Sequence, residues 1–532
     1  MIVPSSIPLR RRRHARPQEL LIAARSRLLA CVLALLGGCA SLPAYEPAPP
    51  QFAVSDVSGT LLARAAAAAL PASEPELSGF RLLPEGPTAF NARIDLAQRA
   101  QASIDAQYYL IADDLIGRRF LRALRDAAAR GVRVRLLVDD LYASGPDELL
   151  AGLAAFPNVQ VRLYNPLPVR AGSVVTRLLF SLHEFSRINR RMHNKLFIAD
   201  NSFAVLGGRN IADEYFMHSA QANFIDLDVL SCGPVVRELS RVFDAYWNSE
   251  QVYAIGRLSA PGSRERFDAR IGAAQVRIDE RAQDMLGATS LAQQFHSGAL
   301  ALAFARASVF ADTPDKGSGP TVTDRTLRLF VDAHDEVIIA SPYFIPGERG
   351  MALIRAAGAT EENGRITLIT NSFGSTDEPL AFRSYARYRL DLLRAGVRIY
   401  EISPSLSQRS GKLPNFKLRR SQARLHAKAA VIDGRTLFIG SMNLDPRSER
   451  TNTEVGLVIE SAELAQTVRG LARDALASGA YKLRLSADGQ RIEWVEVDAD
   501  GQEVVHTNEP DDNLWQRLHL WLVAPFVSDE LL

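Results

Sequence analysis

His193-Asn-Lys-Leu-Phe-Ile-Ala-Asp200 and His426-Ala-Lys-Ala-Ala-Val-Ile-Asp433 are two copies of one eight-residue pattern, His-x-Lys-x-x-x-x-Asp, set 233 residues apart in a chain of 532. One copy alone would turn up by chance in roughly one chain in a few tens of this length and would carry little weight. The second copy changes that, because the residues downstream match as well. Asn210 and Asn443 each lie 17 residues after their histidine, and Gly207-Gly208 and Gly440-Ser441 hold corresponding places. The chain therefore reads as a duplication.

Within each copy the two-residue spacing of His and Lys puts both side chains on one face of an extended strand. Residues 192–199 read as a buried strand, Asp200-Asn-Ser as a turn and 203–206 as its antiparallel return; 425–432, Asp433-Gly434 and 437–439 repeat the hairpin. Paired His, Lys and Asn suit attack of an imidazole on phosphorus while cations and amides hold the phosphoryl oxygens, so no metal and no cofactor is expected. Small residues at Gly208 and Ser441 would let backbone N–H groups approach an anion, and Asn210 and Asn443 would donate to it. Each half then offers an acid on a hydrophobic strand, Asp226 or Asp228 in the first and Glu454 in the second. A carboxylate on the far nitrogen of each histidine would fix its tautomer and steady the imidazolium.

These motifs, with the Gly/Ser-x-Asn that follows each and the later acid, resemble the phospholipase D superfamily and its HKD motifs over most of the chain. The resemblance implies an α/β fold of two similar phospholipase D-like α-β-α sandwich domains, related by pseudo-twofold symmetry and sharing one active site. It implies a catalytic set of His193, Lys195, Asp200, His426, Lys428 and Asp433. His193 would form a phosphohistidine, while His426 would protonate the leaving oxygen and then activate the incoming alcohol or water. Within the superfamily, Gly207-Gly-Arg-Asn-Ile-Ala-Asp-Glu-Tyr-Phe, Phe224-Ile-Asp-Leu-Asp-Val-Leu, Tyr385-Ala-Arg-Tyr-Arg and Gly440-Ser-Met-Asn-Leu-Asp-Pro-Arg-Ser are similar to bacterial cardiolipin synthases, above all the C type, which lacks two N-terminal transmembrane helices. The implied reaction passes a phosphatidyl group from one phospholipid to the glycerol end of phosphatidylglycerol, with phosphatidylethanolamine the other lipid partner. An accessory protein is left open. The alternatives are a phospholipase D that transfers to water and yields phosphatidic acid, a lipid-binding envelope protein without turnover, and a nuclease.

The N-terminus is written differently. Arg10 to Arg13, Arg16, Arg25 and Arg27 precede a nine-residue apolar stretch, Leu28 to Leu36, and then Leu36-Gly37-Gly38-Cys39. Nine apolar residues are too few for a permanent bilayer span. The Leu-Gly-Gly-Cys ending resembles a bacterial lipobox, so residues 1–38 read as a lipoprotein signal peptide and Cys39 as the lipidation site. The expected location is the bacterial cell envelope, on a membrane surface and facing the periplasm; an ordinary signal peptide and a start codon placed too early are the other readings. Cys31 would leave with the signal and Cys39 would carry lipid, so Cys232 has no partner and no disulfide is predicted.

Charge follows from this division. Residues 1–38 hold seven Arg against Glu19, which turns the formal +2 of the whole chain into about −4 for residues 39–532. That disfavours nucleic acid as a partner, because a general nuclease carries a net basic field. Local basic groups remain before each motif, Arg187, Arg190 and Arg191 before the first and Lys412, Lys417, Arg419, Arg420 and Arg424 before the second. They read either as solvated loops or as contacts for anionic headgroups.

Composition, at 47% hydrophobic and 23% charged, is ordinary for a globular protein. Residues 39–75, rich in Ala, Pro and Ser, read as a flexible tether. Residues 76–250 form the first domain, 251–310 a connecting segment, and 311–532 the second domain with hairpins at Asp488-Gly489 and Asp500-Gly501. Two of the four Trp lie in the apolar stretch after Asn513, which reads as a helix on the body or at a lipid interface. Tyr108 and Tyr343, 235 apart, and Tyr164 and Tyr400, 236 apart, are further expected landmarks of the duplication.

Overall fold

The computed structural model describes residues 41–511 apart from 142–146, 171, 173, 273–274, 280, 318, 358–363, 406–420 and 498–500. The signal segment with Cys39, the basic residues Lys412, Lys417, Arg419 and Arg420, and the Trp-containing tail lie outside the described residues.

The first half builds its sheet from β1 (Ser78–Leu83), β2 (Ser103–Tyr108), β3 (Arg133–Asp139), β4 (Val159–Tyr164), β5 (Leu196–Ala199) and β6 (Phe203–Gly207). After β7 (Ala222–Ile225), which pairs elsewhere, come β8 (Asp228–Cys232) and β9 (Val252–Ala254). Strand pairing gives the spatial order β1-β8-β6-β5-β2-β3-β4-β9, with β2, β3 and β4 parallel. The second half repeats it with β10 (Ala303–Ala311), β11 (Val337–Ala340), β12 (Ile366–Asn371) and β13 (Arg398–Ile402). Next in the chain are β14 (Gln422–Leu425), β15 (Ala429–Ile432), β16 (Thr436–Gly440), β17 (Val455–Glu460) and β18 (Ala480–Leu485). Their order is β10-β17-β16-β15-β11-β12-β13-β18, and β19 (Ile492–Val497) and β20 (Glu503–His506) extend its edge as hairpins. The stretch expected to connect the halves contains β9 of the first sheet and most of β10, which opens the second.

Side-chain alternation along the strands sets the layering. Phe197 and Ala199 face an outer core with the helices Gly86–Arg99 and Leu115–Ala129, while Leu196 and Ile198 face inward. In the second half Ala430 and Ile432 face the other outer core, and Ala429 and Val431 face inward. Both inward faces, with the helices Pro234–Trp247 and Ala462–Gly479, make one central core, so the sandwiches are fused rather than tethered. Pairing of β1 with β10 continues one sheet into the next.

Two expectations are corrected by register. Gln107 pairs with Leu196 and Ala340 with Ala429, which equates Gln107 with Ala340 and sets Leu110, not Tyr108, against Tyr343. Carried across β3 and β12, the same register sets Arg162, not Tyr164, against Tyr400. The motif strands are also shorter than expected. Residues 193–195 and 426–428 belong to no ladder, because each motif leaves its own sheet just before β5 or β15 to pair with the other half.

Candidate functional site

That exchange assembles the site. β14, immediately before His426, runs parallel to β7, immediately before Asp226, with Leu425 opposite Ile225. The His426 and Ala427 amides both donate to the Ile225 carbonyl. Met192, before His193, pairs in the same way with Thr453, before Glu454. The His193 amide donates to the Thr453 carbonyl at 2.9 Å, and the Thr453 amide to Arg191 at 2.8 Å. Each histidine therefore meets the acid of the opposite half.

His193 Nδ1 lies 3.0 and 3.1 Å from the two Glu454 oxygens, and His426 Nδ1 lies 2.7 Å from Asp226 Oδ2. Because the carboxylates take Nδ1 on both rings, Nε2 is left as the reactive nitrogen. Asp226, and not Asp228, is the first-half acid; Asp228 is ion-paired with Arg93 at 2.9 Å and Arg209 at 3.4 Å. Lys195 Nζ donates to the His193 carbonyl at 2.6 Å and Lys428 Nζ to the His426 carbonyl at 2.7 Å. An ammonium has three donors, so each lysine keeps two for an anionic ligand.

Gly208 and Ser441 hold matching positions with different tasks. A methyl group at 208 would run into the Asp226 carboxylate, so the glycine gives that acid room to reach His426. At 441 the Ser hydroxyl donates to Glu454 Oε2, and Ser448 Oγ donates to Oε1 at 2.9 Å. Asn210 Nδ2 donates to the Tyr215 hydroxyl at 3.0 Å, and the buried side-chain oxygens of Asn210 and Asn443 have no partner among the described residues.

Asp200 and Asp433 are not brought to the histidines. Each lies seven positions after its His, roughly 20 Å along an extended chain. Asp200 sits at φ 48° in the hairpin turn and accepts amides from Gln101, Ala102 and Ser103 at 2.8–3.1 Å. Asp433, at φ 50°, accepts those of His334, Asp335 and Glu336. Both pin the motif hairpin to the start of the strand beside it, β2 or β11, which runs antiparallel to β5 or β15. Arg191 is corrected too: buried and paired with Asp139 at 3.1 Å, it is not a headgroup contact.

Several neighbours carried no motif. Asp139 Oδ2 accepts the Met192 amide at 2.9 Å, and Asn371 Oδ1 accepts the matching Leu425 amide at 2.7 Å, clamping the residue before each histidine. Tyr109 meets His193 edge-on at 5.0 Å, and Tyr215 does the same to His426. Equal 233-residue spacing of Met192 and Leu425 gives a sequence signal for the clamps only once the sheet order is known.

The two dyads differ electrically. Burial, with Lys195, Lys428 and His426 adding to it, holds His193 well below the ordinary imidazole value. Burial and Lys428 also lower His426, but Asp226 opposes them. Burial alone would raise Asp226, yet His426, Arg209 and Lys428 outweigh it and keep that carboxylate ionised. For Glu454 burial prevails over Lys195 and lifts the carboxyl to about 7. Burial brings Lys428 down to about 8 and Lys195 well below the usual amine range. The site thus has a low-basicity histidine among cations and a second histidine against a fixed anion.

Two like halves that trade acids across a pseudo-twofold axis, with one His-Lys pair from each, define a protein with a single composite phosphoryl-handling site. The family profile described as "Cardiolipin synthase, PLD-like domain" matches residues 94–247 and 327–473, and the chain belongs to this phospholipase D-like family. It is 36% identical over 472 residues to the cardiolipin synthase C of Escherichia coli K12, covering 87% of this chain and 98% of that protein. An uncharacterized Helicobacter pylori J99 protein is 31% identical, over 84% of this chain and 88% of its own length. Among solved structures, phosphatidylserine synthase of Haemophilus influenzae Rd KW20 superposes with a TM-score of 0.53 at 13% identity, covering 87% of this chain and 95% of that one, which shows the shared fold.

Proposed function

We propose that the protein is a phosphatidyltransferase that makes cardiolipin from phosphatidylglycerol and a second phospholipid. The crossed, electrically unequal dyads carry this reading, supported by similarity to a cardiolipin synthase over nearly its full length. His193 Nε2, unprotonated among its cations, attacks the phosphorus of the donor lipid. The bond from phosphorus to the headgroup oxygen breaks, and His426, kept protonatable by Asp226, gives that oxygen its proton. His426 then takes the proton of the acceptor alcohol, whose oxygen displaces His193 from phosphorus. Lys195 and Lys428 hold the phosphoryl oxygens throughout, with the amide groups of Asn210 and Asn443 alongside.

Among the described residues no helix is long and apolar enough to cross a membrane. The membrane anchor in this reading is Cys39 of Leu36-Gly37-Gly38-Cys39, lipidated after removal of residues 1–38, with the body on the periplasmic side. Mass spectrometry of the protein from its host should find a lipid-modified Cys39 as the first residue; an intact 1–38 segment would end the idea.

The function is tested by incubating purified protein with labelled phosphatidylglycerol vesicles, with and without phosphatidylethanolamine, and separating the lipids. Cardiolipin should be the main product, unaffected by EDTA, and His193→Ala and His426→Ala should each lose at least about a thousandfold while remaining folded. Phosphatidic acid as the main product at high phosphatidylglycerol would establish the hydrolase instead.

A further inference from the structure

The ends of β11 and β12 reach the site from the second half. Ser341 Oγ donates to the Tyr343 carbonyl at 2.6 Å, holding the turn that presents Tyr343, whose hydroxyl donates to Asp377 Oδ2 at 2.7 Å. Asp377 lies on the loop after β12, where the Ser375 and Thr376 amides both bond the Ser372 carbonyl. That loop is tied to the catalytic strand through Asn371, which bonds both the amide and the carbonyl of Leu425, next to His426. The Asp377 charge is felt by both His426 and Lys428.

The other Asp377 oxygen, Oδ1, is buried and has no partner among the described residues. A carboxylate oxygen withdrawn from water without a donor is costly unless a ligand supplies one. At the matching strand end of the first half the acids are satisfied: Asp139 by Arg191 and two amides, Asp140 by Arg170, Arg177 and the Leu167 amide. Among the described residues of these two strand ends, the open acceptor lies in the half that carries His426, the histidine assigned to the alcohol side of the reaction. Glu214 and Glu378, whose carboxyls feel Asp377, add negative potential there.

We propose that Tyr343 and Asp377 form the subsite for the alcohol side of the transfer. Asp377 Oδ1 accepts a hydrogen bond from a second donor group of the alcohol, a hydroxyl or an ammonium, one or two carbons from the reacting oxygen. Tyr343 positions that carboxylate by holding its other oxygen. The inference rests on the phosphatidyltransferase reading and adds to it the feature by which the enzyme would tell a headgroup alcohol from a simple alcohol or water.

The test is transfer from phosphatidylglycerol vesicles to soluble acceptors, with glycerol, ethanolamine and 1-propanol compared pairwise. Wild type should favour glycerol and ethanolamine over 1-propanol. Asp377→Ala should cut both preferences about tenfold, chiefly through the acceptor KM. Asp377→Asn, which keeps an acceptor oxygen but no charge, should retain the glycerol preference and lose that for ethanolamine if the natural donor group is an ammonium; loss of neither preference points to a hydroxyl. Tyr343→Phe, which leaves the carboxylate in place but unanchored, should give a partial loss and decides the matter if Asp377→Ala does not fold. Preferences unchanged in both Asp377→Ala and Tyr343→Phe would overturn the subsite while leaving transfer intact. Wild type that forms only phosphatidic acid with every alcohol would overturn the transferase reading and the subsite together.

Discussion

Glu454 and Asp226 occupy equivalent places, yet one carboxyl is lifted to about 7 and the other is held below its ordinary range. Glu454 binds its proton more tightly folded than unfolded. Its contribution to stability is therefore fully present below about 4.5, declines as pH rises, and is lost above about 7. The full swing is roughly 3 kcal/mol. Thermal melts of wild type and Glu454→Gln across pH 4–8 should show wild type losing stability relative to the variant through that window; parallel curves would contradict it. The matching residue-scale prediction on the other dyad concerns Gly208. Alanine there pushes Asp226 off His426, so Gly208→Ala should lower turnover about a hundredfold, read as a kcat loss with KM little changed.

At the scale of elements, the motif hairpins show which motif residue is structural. Asp200-Asn201 and Asp433-Gly434 both place two successive residues at positive φ, and Ser202 and Arg435 close the turns onto Ala199 and Ile432. The carboxylates then cap three amides of the chain leading into β2 or β11. At Asp200 that carboxylate is fully buried, whereas at Asp433 two of the three capped residues are exposed. Losing buried amide partners costs more than losing solvated ones. Asp200→Ala should therefore cost about 3 kcal/mol in urea unfolding and Asp433→Ala about 1 kcal/mol, with substrate affinity little changed in the folded fraction.

The whole molecule is a fusion, not two domains on a string. One core lies between the sheets; β7 with β14 stitches the halves beside the His426–Asp226 dyad, and the Met192–Thr453 bridge does so beside the His193–Glu454 dyad. A fragment of residues 41–300 would keep His193 and Asp226 but lack Glu454 and His426. It should show no transfer, and the unfolding of the intact chain should be one cooperative transition rather than two. Transfer activity in the isolated fragment would refute the shared site.

Much of this was legible in the sequence. The duplication, the two hairpins, the Asp433-Gly434 turn and the His-Lys pairs rest on spacing and local periodicity, which a chain records within a few residues, and all are present in the fold. The choice between Asp226 and Asp228 was not legible, because adjacent alternating positions on one strand look alike until the arginine that neutralises Asp228 is seen to come from residue 93. Spacing alone also misaligned the tyrosines, since loops of unequal length shift one half against the other while hydrogen-bond register does not. Which acid serves which histidine was settled only in three dimensions. His193 and Glu454 are 261 residues apart, and their meeting depends on strands leaving one sheet to pair with the other, a long-range choice that no local pattern encodes. The sequence by itself determined the chemistry each half can offer; the tertiary structure decided that neither half can use it without the other's carboxylate.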